Sequence, residues 1–164
     1  MNRAFVALGS NLGDRRAHLA LAVSHLGRTS EVVRASSLYE TDPVGGPPQG
    51  PYLNAVIEMR TTFSAFRLLQ VLTEIERRAG RIRTVRDGPR TLDLDLLWCN
   101  GDELRSDALT LPHPRAHERR FVLEPWVEIW PDGILRDHPL SEWMAACDKT
   151  GVFWVSGPEW VDGR

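Results

Sequence analysis

Gly88-Pro89-Arg90-Thr91-Leu92-Asp93-Leu94-Asp95-Leu96-Leu97-Trp98 is a turn that feeds an alternating run. Alternation of apolar and polar residues is the pattern of a half-buried strand, because side chains two apart share a face. Leu92, Leu94 and Leu96 therefore point one way and Asp93 and Asp95 the other. At a rise of about 3.3 Å per residue the two carboxylates sit about 7 Å apart at Cα. Both can then reach a pair of Mg²⁺ ions about 4 Å apart, the spacing of two-metal phosphoryl-transfer sites. Arg90, just upstream, is an always-charged planar fork suited to phosphate oxygens. By itself Asp-x-Asp also fits the solvated face of an amphipathic strand, since short motifs recur by chance. Asp is disfavoured in strands, however, so two on one face beside an arginine call for a reason.

Composition frames this reading. The 164 residues suit one domain over 1–164, with 151–164 as a tail. A hydrophobic share of 42% and a charged share of 26% are ordinary for a soluble globular chain. A net charge of -2 supplies no basic field for nucleic acid or an anionic membrane. No apolar run approaches a membrane span, and Met1-Asn2-Arg3-Ala4-Phe5 enters a strand without a signal-peptide core. Cys99 and Cys147 make neither a disulfide framework nor a metal-ligand spacing. These features lead us to expect a monomer of the reducing cytoplasm.

Along the chain, Arg3 to Leu8 reads as a strand and Gly9 to Asp14 as a tight turn into a helix. That helix carries Leu19, Val23 and Leu26 at helical spacing and stops at Gly27. Glu31 to Glu40 alternates loosely as one second strand, and Asp42 to Pro51 is a Pro- and Gly-rich loop longer than a hairpin needs. Tyr52 to Arg60 is a third strand with Leu53, Ala55, Ile57 and Met59 on one side and Tyr52, Asn54 and Val56 on the other. Tyr52 offers a ring and Asn54 a paired donor and acceptor for a heterocycle edge, although packing and loop satisfaction explain them equally well. Ser64 caps a helix to Ala79 whose stripe is Leu68, Leu72, Ile75 and Ala79, ended by Gly80, with Glu76 as a solvated helix charge.

Four arginines (Arg81, Arg83, Arg86 and Arg90) then fall within ten residues beside the acid pair. Guanidinium for phosphate and carboxylate for metal is the combination that Mg²⁺-polyphosphate chemistry requires. Asn100-Gly101 signals a hairpin after the acidic strand. Leu109 to Leu111 is a short strand stopped by Pro112-His113-Pro114, and the histidine should project from a rigid turn. An apolar helix runs to Ile129, Ser141 caps a short helix over 142–148, and the aromatic-rich tail from Val152 to Trp160 could lie across the core, with no readable role.

Gly88 to Asp95 resembles the signature of the 6-hydroxymethyl-7,8-dihydropterin pyrophosphokinase family. Gly9-Ser10-Asn11-Leu12, Tyr52-Leu53-Asn54-Ala55 and Gly80-Arg81 are similar to further motifs of that family, as is Leu111-Pro112-His113-Pro114 followed by Arg119 and Phe121-Val122-Leu123. Order and rough spacing agree from about Arg3 to Pro131. The resemblance implies transfer of the terminal diphosphate of ATP, in one step, to the hydroxymethyl oxygen of the pterin, with release of AMP. It implies that Asp93 and Asp95 hold two Mg²⁺ ions and that Arg81 and Arg90 neutralise charge at the transferred group. ATP would be met by Glu76, Arg83, Arg90, Leu96, Thr110, His113 and Arg119. The pterin would be stacked between Tyr52 and Phe121, with Asp93, Asn54, Thr41, Pro43 and Val44 around its edge. The loops 9–14, 43–51 and 81–89 would be mobile lids. Two positions depart from the pattern: Asp87 stands where the family often has an aromatic, and Pro114 where some members have Tyr.

The strand-helix-strand-strand-helix-strand order from Arg3 to Cys99 predicts an α+β sandwich of ferredoxin-like plan, an antiparallel sheet of four or more strands with helices packed on it. Two other functions share some of these features. One is a different Mg²⁺-dependent phospho- or nucleotidyltransferase with another acceptor. The other is an RNA-binding module, whose strand-helix order is the same. The negative balance and the lack of an aromatic RNA-binding strand weigh against the latter.

Overall fold

The computed structural model describes residues 1–82 and 85–162. In its sheet, β1 (Asn2–Ser10) is an interior strand paired antiparallel with both β4 (Tyr52–Thr61) and β5 (Asp93–Cys99). Between them in the chain come α1 (Arg15–Leu26), β2 (Glu31–Ala35), β3 (Leu38–Thr41) and, after β4, α2 (Ala65–Arg78). The sheet runs β10-β3-β4-β1-β5, where β10 is Val152–Ser156 and β2 also pairs with β4. This is the ferredoxin-like α+β plan, antiparallel throughout, with the tail added as an edge strand.

Alternation decides what each face of the sheet meets. Ala4, Val6 and Leu8 of β1, Leu53 to Met59 at alternate positions of β4, and Leu94 and Leu96 of β5 pack against α1 and α2. Ser64 accepts from Arg67 N–H at 3.2 Å to cap α2, as its sequence predicts. On the opposite face, Phe5, Val56 and Leu97 are covered by α3 (Arg120–Ile129) with Trp126, and by α4 (Leu140–Ala146). That second layer reaches only part of the way along the sheet. The uncovered part, at the C-terminal end of β1, is where Asp93 and Asp95 lie.

Four expectations need correcting. The run from Glu31 to Glu40 is two strands, β2 and β3, not one. Ser36 and Ser37 divide it because their hydroxyls compete with the backbone ladder. Val56 N–H donates to Ser36 Oγ (3.0 Å), while Ser37 N–H and Oγ both donate to Glu128 Oε1 (2.9 and 2.8 Å).

Asn100-Gly101 does form a turn, both residues having positive φ (53° and 79°), but no hairpin with β5 grows from it. Instead β6 (Leu104–Arg105) pairs with β7 (Thr110–Leu111). The next turn closes that pair: Ser106 N–H and Oγ both donate to Leu109 O, at 3.0 and 2.9 Å.

Ser141 lies inside the first turn of α4 rather than capping it. The helix begins earlier because Leu140, fully buried, is held by its N–H to Gly133 O at 2.8 Å, following the short hairpin of β8 (Ile134–Leu135) and β9 (His138–Pro139).

Glu76 is not a solvated charge. It is 5% exposed, on the buried side of α2.

The tail acquires a role. Past β10, Trp160 is fully buried among the α1-side residues, and its Nε1–H donates to Ser36 O at 2.8 Å. Among the described residues no helix is long and apolar enough to cross a membrane.

Candidate active site

Three adjacent strands define the floor. Across the sheet, Asn54 of β4 is registered with Gly9 of β1, which is registered with Asp93 of β5. One row further along, Val56, Ala7 and Asp95 align in the same way. Neighbouring strands lie about 4.8 Å apart, so the wall bearing Tyr52 and Asn54 stands about 10 Å from the wall bearing the two acids. Gly9 and Ala7, the small residues that β1 sets on this face, lie between them. Ala7 is half-buried despite its place mid-strand, because the cleft opens above it.

Asp93 is gripped from two sides. Its Oδ1 is 2.9 Å from Arg81 Nη1 and its Oδ2 is 2.9 Å from Arg90 Nη1. Arg81 also pairs with Glu76, both side chains being buried, and Glu76 Oε1 accepts the Leu94 N–H at 2.8 Å. Glu76 thus fixes both the arginine and the start of the acidic strand. Replacing it by glutamine keeps an acceptor for Leu94 but removes the charge facing Arg81. We expect Glu76→Gln to lower stability by about 2 kcal/mol, the scale of a hydrogen bond to a charged group, read by urea denaturation.

Asp95 Oδ2 lies 3.9 Å from His113 Nε2 and 3.9 Å from Arg119 Nη1. Burial, and then the neighbouring charge of Asp93, push its carboxyl up to about 7, against the pull of Arg119. His113 moves the other way, down to about 4, because burial and the Arg119 charge both penalise the imidazolium. It is a neutral ring, and its Nδ1 accepts the Arg115 N–H at 3.2 Å, which leaves the proton on Nε2 facing Asp95. Its turn is fastened to β5 by His113 N–H donating to Leu97 O at 2.9 Å.

Three loops meet over this floor. Asn11 exchanges backbone and side-chain bonds with Arg90 (its N–H to Arg90 O, 3.0 Å; Arg90 N–H to its Oδ1, 2.7 Å). Its Nδ2 donates to Gln49 Oε1 at 2.9 Å, and Gln49 Nε2 donates to Asp87 O at 2.8 Å. The backbone of Asp87, a departure from the family pattern in sequence, is therefore the seat of this inter-loop bond. Neither Asn11 nor Gln49 was singled out from sequence. Asn11 sits in the Gly9-Ser10-Asn11 motif, whereas a loop glutamine with distant partners carries no local signal.

The remaining sequence candidates are placed as follows. Asn54 Nδ2 donates to Thr41 Oγ1 at 2.5 Å, and both are buried. Tyr52 Oη donates to Gly88 O at 3.5 Å. Its hydroxyl is pushed up by burial, against the pull of Arg90. Pro43 is half-buried and Val44 exposed in the loop beyond β3. Phe121 opens α3 with the Arg119 guanidinium 5.7 Å from its ring centre, so one arginine joins this ring to Asp95. Thr110 is half-buried on β7. Leu96 points its side chain into the helix-side core, away from the acids. Arg83 lies outside the described residues.

Asp93 and Asp95 suit Mg²⁺ in a particular way. Among the described residues no group of three or more His, Cys, Asp or Glu could cage a metal by itself. Mg²⁺ is ordinarily bound through one or two carboxylates plus substrate phosphates and water, and two adjacent carboxylates provide that much. Burial is the main cause that raises Asp95, and the Asp93 charge that adds to it is what a divalent cation would offset. The donor set fits a metal brought in with a polyphosphate.

A ferredoxin-like sheet with an acid pair, one buried and two half-buried arginines and an aromatic-polar wall on one open face has the donor set of a phosphotransferase. A sequence model of the 7,8-dihydro-6-hydroxymethylpterin-pyrophosphokinase (HPPK) family matches residues 5–131, and the chain belongs to this family. Membership makes it a diphosphotransferase of folate biosynthesis that uses ATP as co-substrate. It is 47% identical over 130 residues to the 2-amino-4-hydroxy-6-hydroxymethyldihydropteridine pyrophosphokinase of Bacillus subtilis, covering 78% of each chain. To the enzyme of the same name from Methylorubrum extorquens it is 41% identical over 154 residues, covering 93% of this chain and 98% of the relative. Among solved structures, the Plasmodium falciparum HPPK-DHPS triple mutant with pteroate superposes with a TM-score of 0.68 at 14% identity over 88% of this chain. That likeness concerns the fold alone, and this chain spans 43% of the longer one.

Proposed function

We propose that this chain, acting as a monomeric single domain, moves the β- and γ-phosphoryl groups of ATP together onto the hydroxymethyl oxygen of 6-hydroxymethyl-7,8-dihydropterin. The new bond joins that oxygen to Pβ as the bridging bond between Pβ and the α-phosphate oxygen breaks. AMP leaves and the hydroxyl proton passes to solvent. The observation that supports this most is the placement of Asp93 and Asp95 on the open face, between the Tyr52–Asn54 wall and the cluster of Arg90, Arg119 and His113.

Two Mg²⁺ ions held at Asp93 and Asp95 would supply charge neutralisation for the phosphates and orient them. The protein's own residues do the rest. Arg81 and Arg90, each 2.9 Å from Asp93 in the free site, would present their guanidinium groups to the charge of the transferred phosphates beside that carboxylate. Arg119 and neutral His113, together with Thr110, Arg83, Glu76 and the backbone at Leu96, make the nucleotide side. Tyr52 and Phe121 take the pterin faces, while Asn54 and the Thr41 to Val44 segment take its polar edge. A flat polar heterocycle is well served by two aromatic faces and a few fixed hydrogen-bond partners. No side chain is needed as a base, because positioning and charge carry phosphoryl transfer of this kind. The interlocked loops exclude water from the activated group.

The test is product analysis with ATP, Mg²⁺ and the hydroxymethyl pterin. AMP and pterin diphosphate should form in equal amounts, and only when the pterin is present. Formation of ADP, or AMP release without acceptor, would contradict the reading.

The raised Asp95 carboxyl makes the free protein pH-sensitive. Its folded pKa of about 7 exceeds the ordinary 3.8, so the folded state binds more protons between those values. Its contribution to stability is present below about 4 and is lost as pH rises through about 7. Thermal melts at pH 5.5 and 8 should show the wild type weakening with pH, and Asp95→Asn should flatten that part of the slope. Loading with Mg²⁺ and a non-hydrolysable ATP analogue should flatten it too, with release of a proton.

A further inference from the structure

Gly9 is the penultimate residue of β1, an interior strand paired on both sides, where glycine is usually a weakness and neither a turn nor a positive φ requires it. Its reason is spatial. A Cβ built there would stand 2.9 Å from Asn54 Oδ1, 3.6 Å from Tyr52 Cδ1 and 3.9 Å from Asp93 Cβ. Only the first of these is a collision; the others are ordinary contacts. Asn54 has little room to yield, since it is 7% exposed and tied through Nδ2 to the buried Thr41 hydroxyl at 2.5 Å.

We infer that Gly9 is a positioning and specificity-determining residue: the lack of a side chain there lets the Asn54 carboxamide lie across β1 with its oxygen toward the cleft, and so sets the edge that reads the acceptor. This rests on the reading of Tyr52 and Asn54 as the acceptor wall. The nucleotide side, built from Arg90, His113 and Arg119 around Asp93 and Asp95, lies on the opposite wall and does not depend on the Asn54 pose. A methyl at position 9 therefore acts on one substrate and not the other, and it acts through Asn54.

The test is a double-mutant cycle with Gly9→Ala and Asn54→Ala, titrating each protein with the hydroxymethyl pterin and separately with Mg²⁺ and a non-hydrolysable ATP analogue. Gly9→Ala should weaken pterin binding at least tenfold and leave nucleotide binding within twofold. In the Asn54→Ala background, where the colliding oxygen is gone, Gly9→Ala should change pterin binding by less than twofold. The inference is overturned if Gly9→Ala leaves pterin binding unchanged, weakens both ligands alike, or costs a further tenfold on top of Asn54→Ala. If Gly9→Ala alone does not fold, the comparison of Asn54→Ala with the double variant still decides, by the same twofold and tenfold criteria. A wild-type chain that fails to bind the pterin at all would instead sink the acceptor reading and this inference with it.

Discussion

Asp95→Ala is expected to fold normally and to lose about a thousandfold or more in turnover. The loss follows from removing one of the two carboxylates proposed to hold metal, since metal-assisted charge stabilisation is worth several kcal/mol and each 1.36 kcal/mol is tenfold in rate. Stability should move the opposite way or stay level. Asp95 is pushed up to about 7 by burial and by Asp93, so in the free protein its ionised form is held against its preference. Removing it relieves that strain at neutral pH, and the thermal midpoint at pH 8 should equal or exceed that of the wild type. Lost activity with retained or higher stability marks a group kept for function rather than for the fold. Initial rates at saturating ATP, Mg²⁺ and pterin, with melts at the same pH, check both halves.

Arg90→Ala is expected to reduce turnover by about a hundredfold to a thousandfold, the range for removing one preorganised donor at developing charge. Arg90 holds Asp93 Oδ2 at 2.9 Å in the free protein, so the variant also frees that carboxylate. Metal affinity measured without nucleotide should accordingly stay level or rise while the transfer step falls. That opposition separates a phosphate-directed arginine from one that merely braces the metal ligand. Arg90→Lys should recover only part of the loss, because a point charge does not replace a planar fork. Single-turnover rates and Mg²⁺ titrations on the three proteins give the comparison.

The fold was legible where period and burial coincide. Alternation from Leu92 to Leu96 placed the acids on the face opposite the helix-side core, and the Leu68, Leu72, Ile75 stripe located α2. Glu76 was misread although its signal was present: it continues the Leu68–Leu72 row at the four-residue spacing, so it shares the buried face. Only a buried partner explains a carboxylate there, and Arg81, five residues on, is that partner. The Ser36-Ser37 break was likewise written in the chain, since two adjacent hydroxyls interrupt an otherwise β-prone run.

What the chain could not disclose is non-local. The hydrogen bonds of Asn11 and Gln49 cross between loops, 38 residues apart in sequence for that pair and for Gln49 with Asp87. The exposed aromatic run Phe153-Trp154 forms a strand whose pairing with β3 depends on the sheet edge left free by the rest of the fold. The space above Gly9 becomes meaningful only once its neighbours on β4 and β5 are known.

The metal assignment at Asp93 and Asp95 is tested most directly by counting Mn²⁺ bound to the protein saturated with a non-hydrolysable ATP analogue, by paramagnetic resonance. Two ions per wild-type chain, with at least one lost in Asp95→Ala, is the predicted result. An unchanged count in Asp95→Ala would place the ions elsewhere and contradict the account.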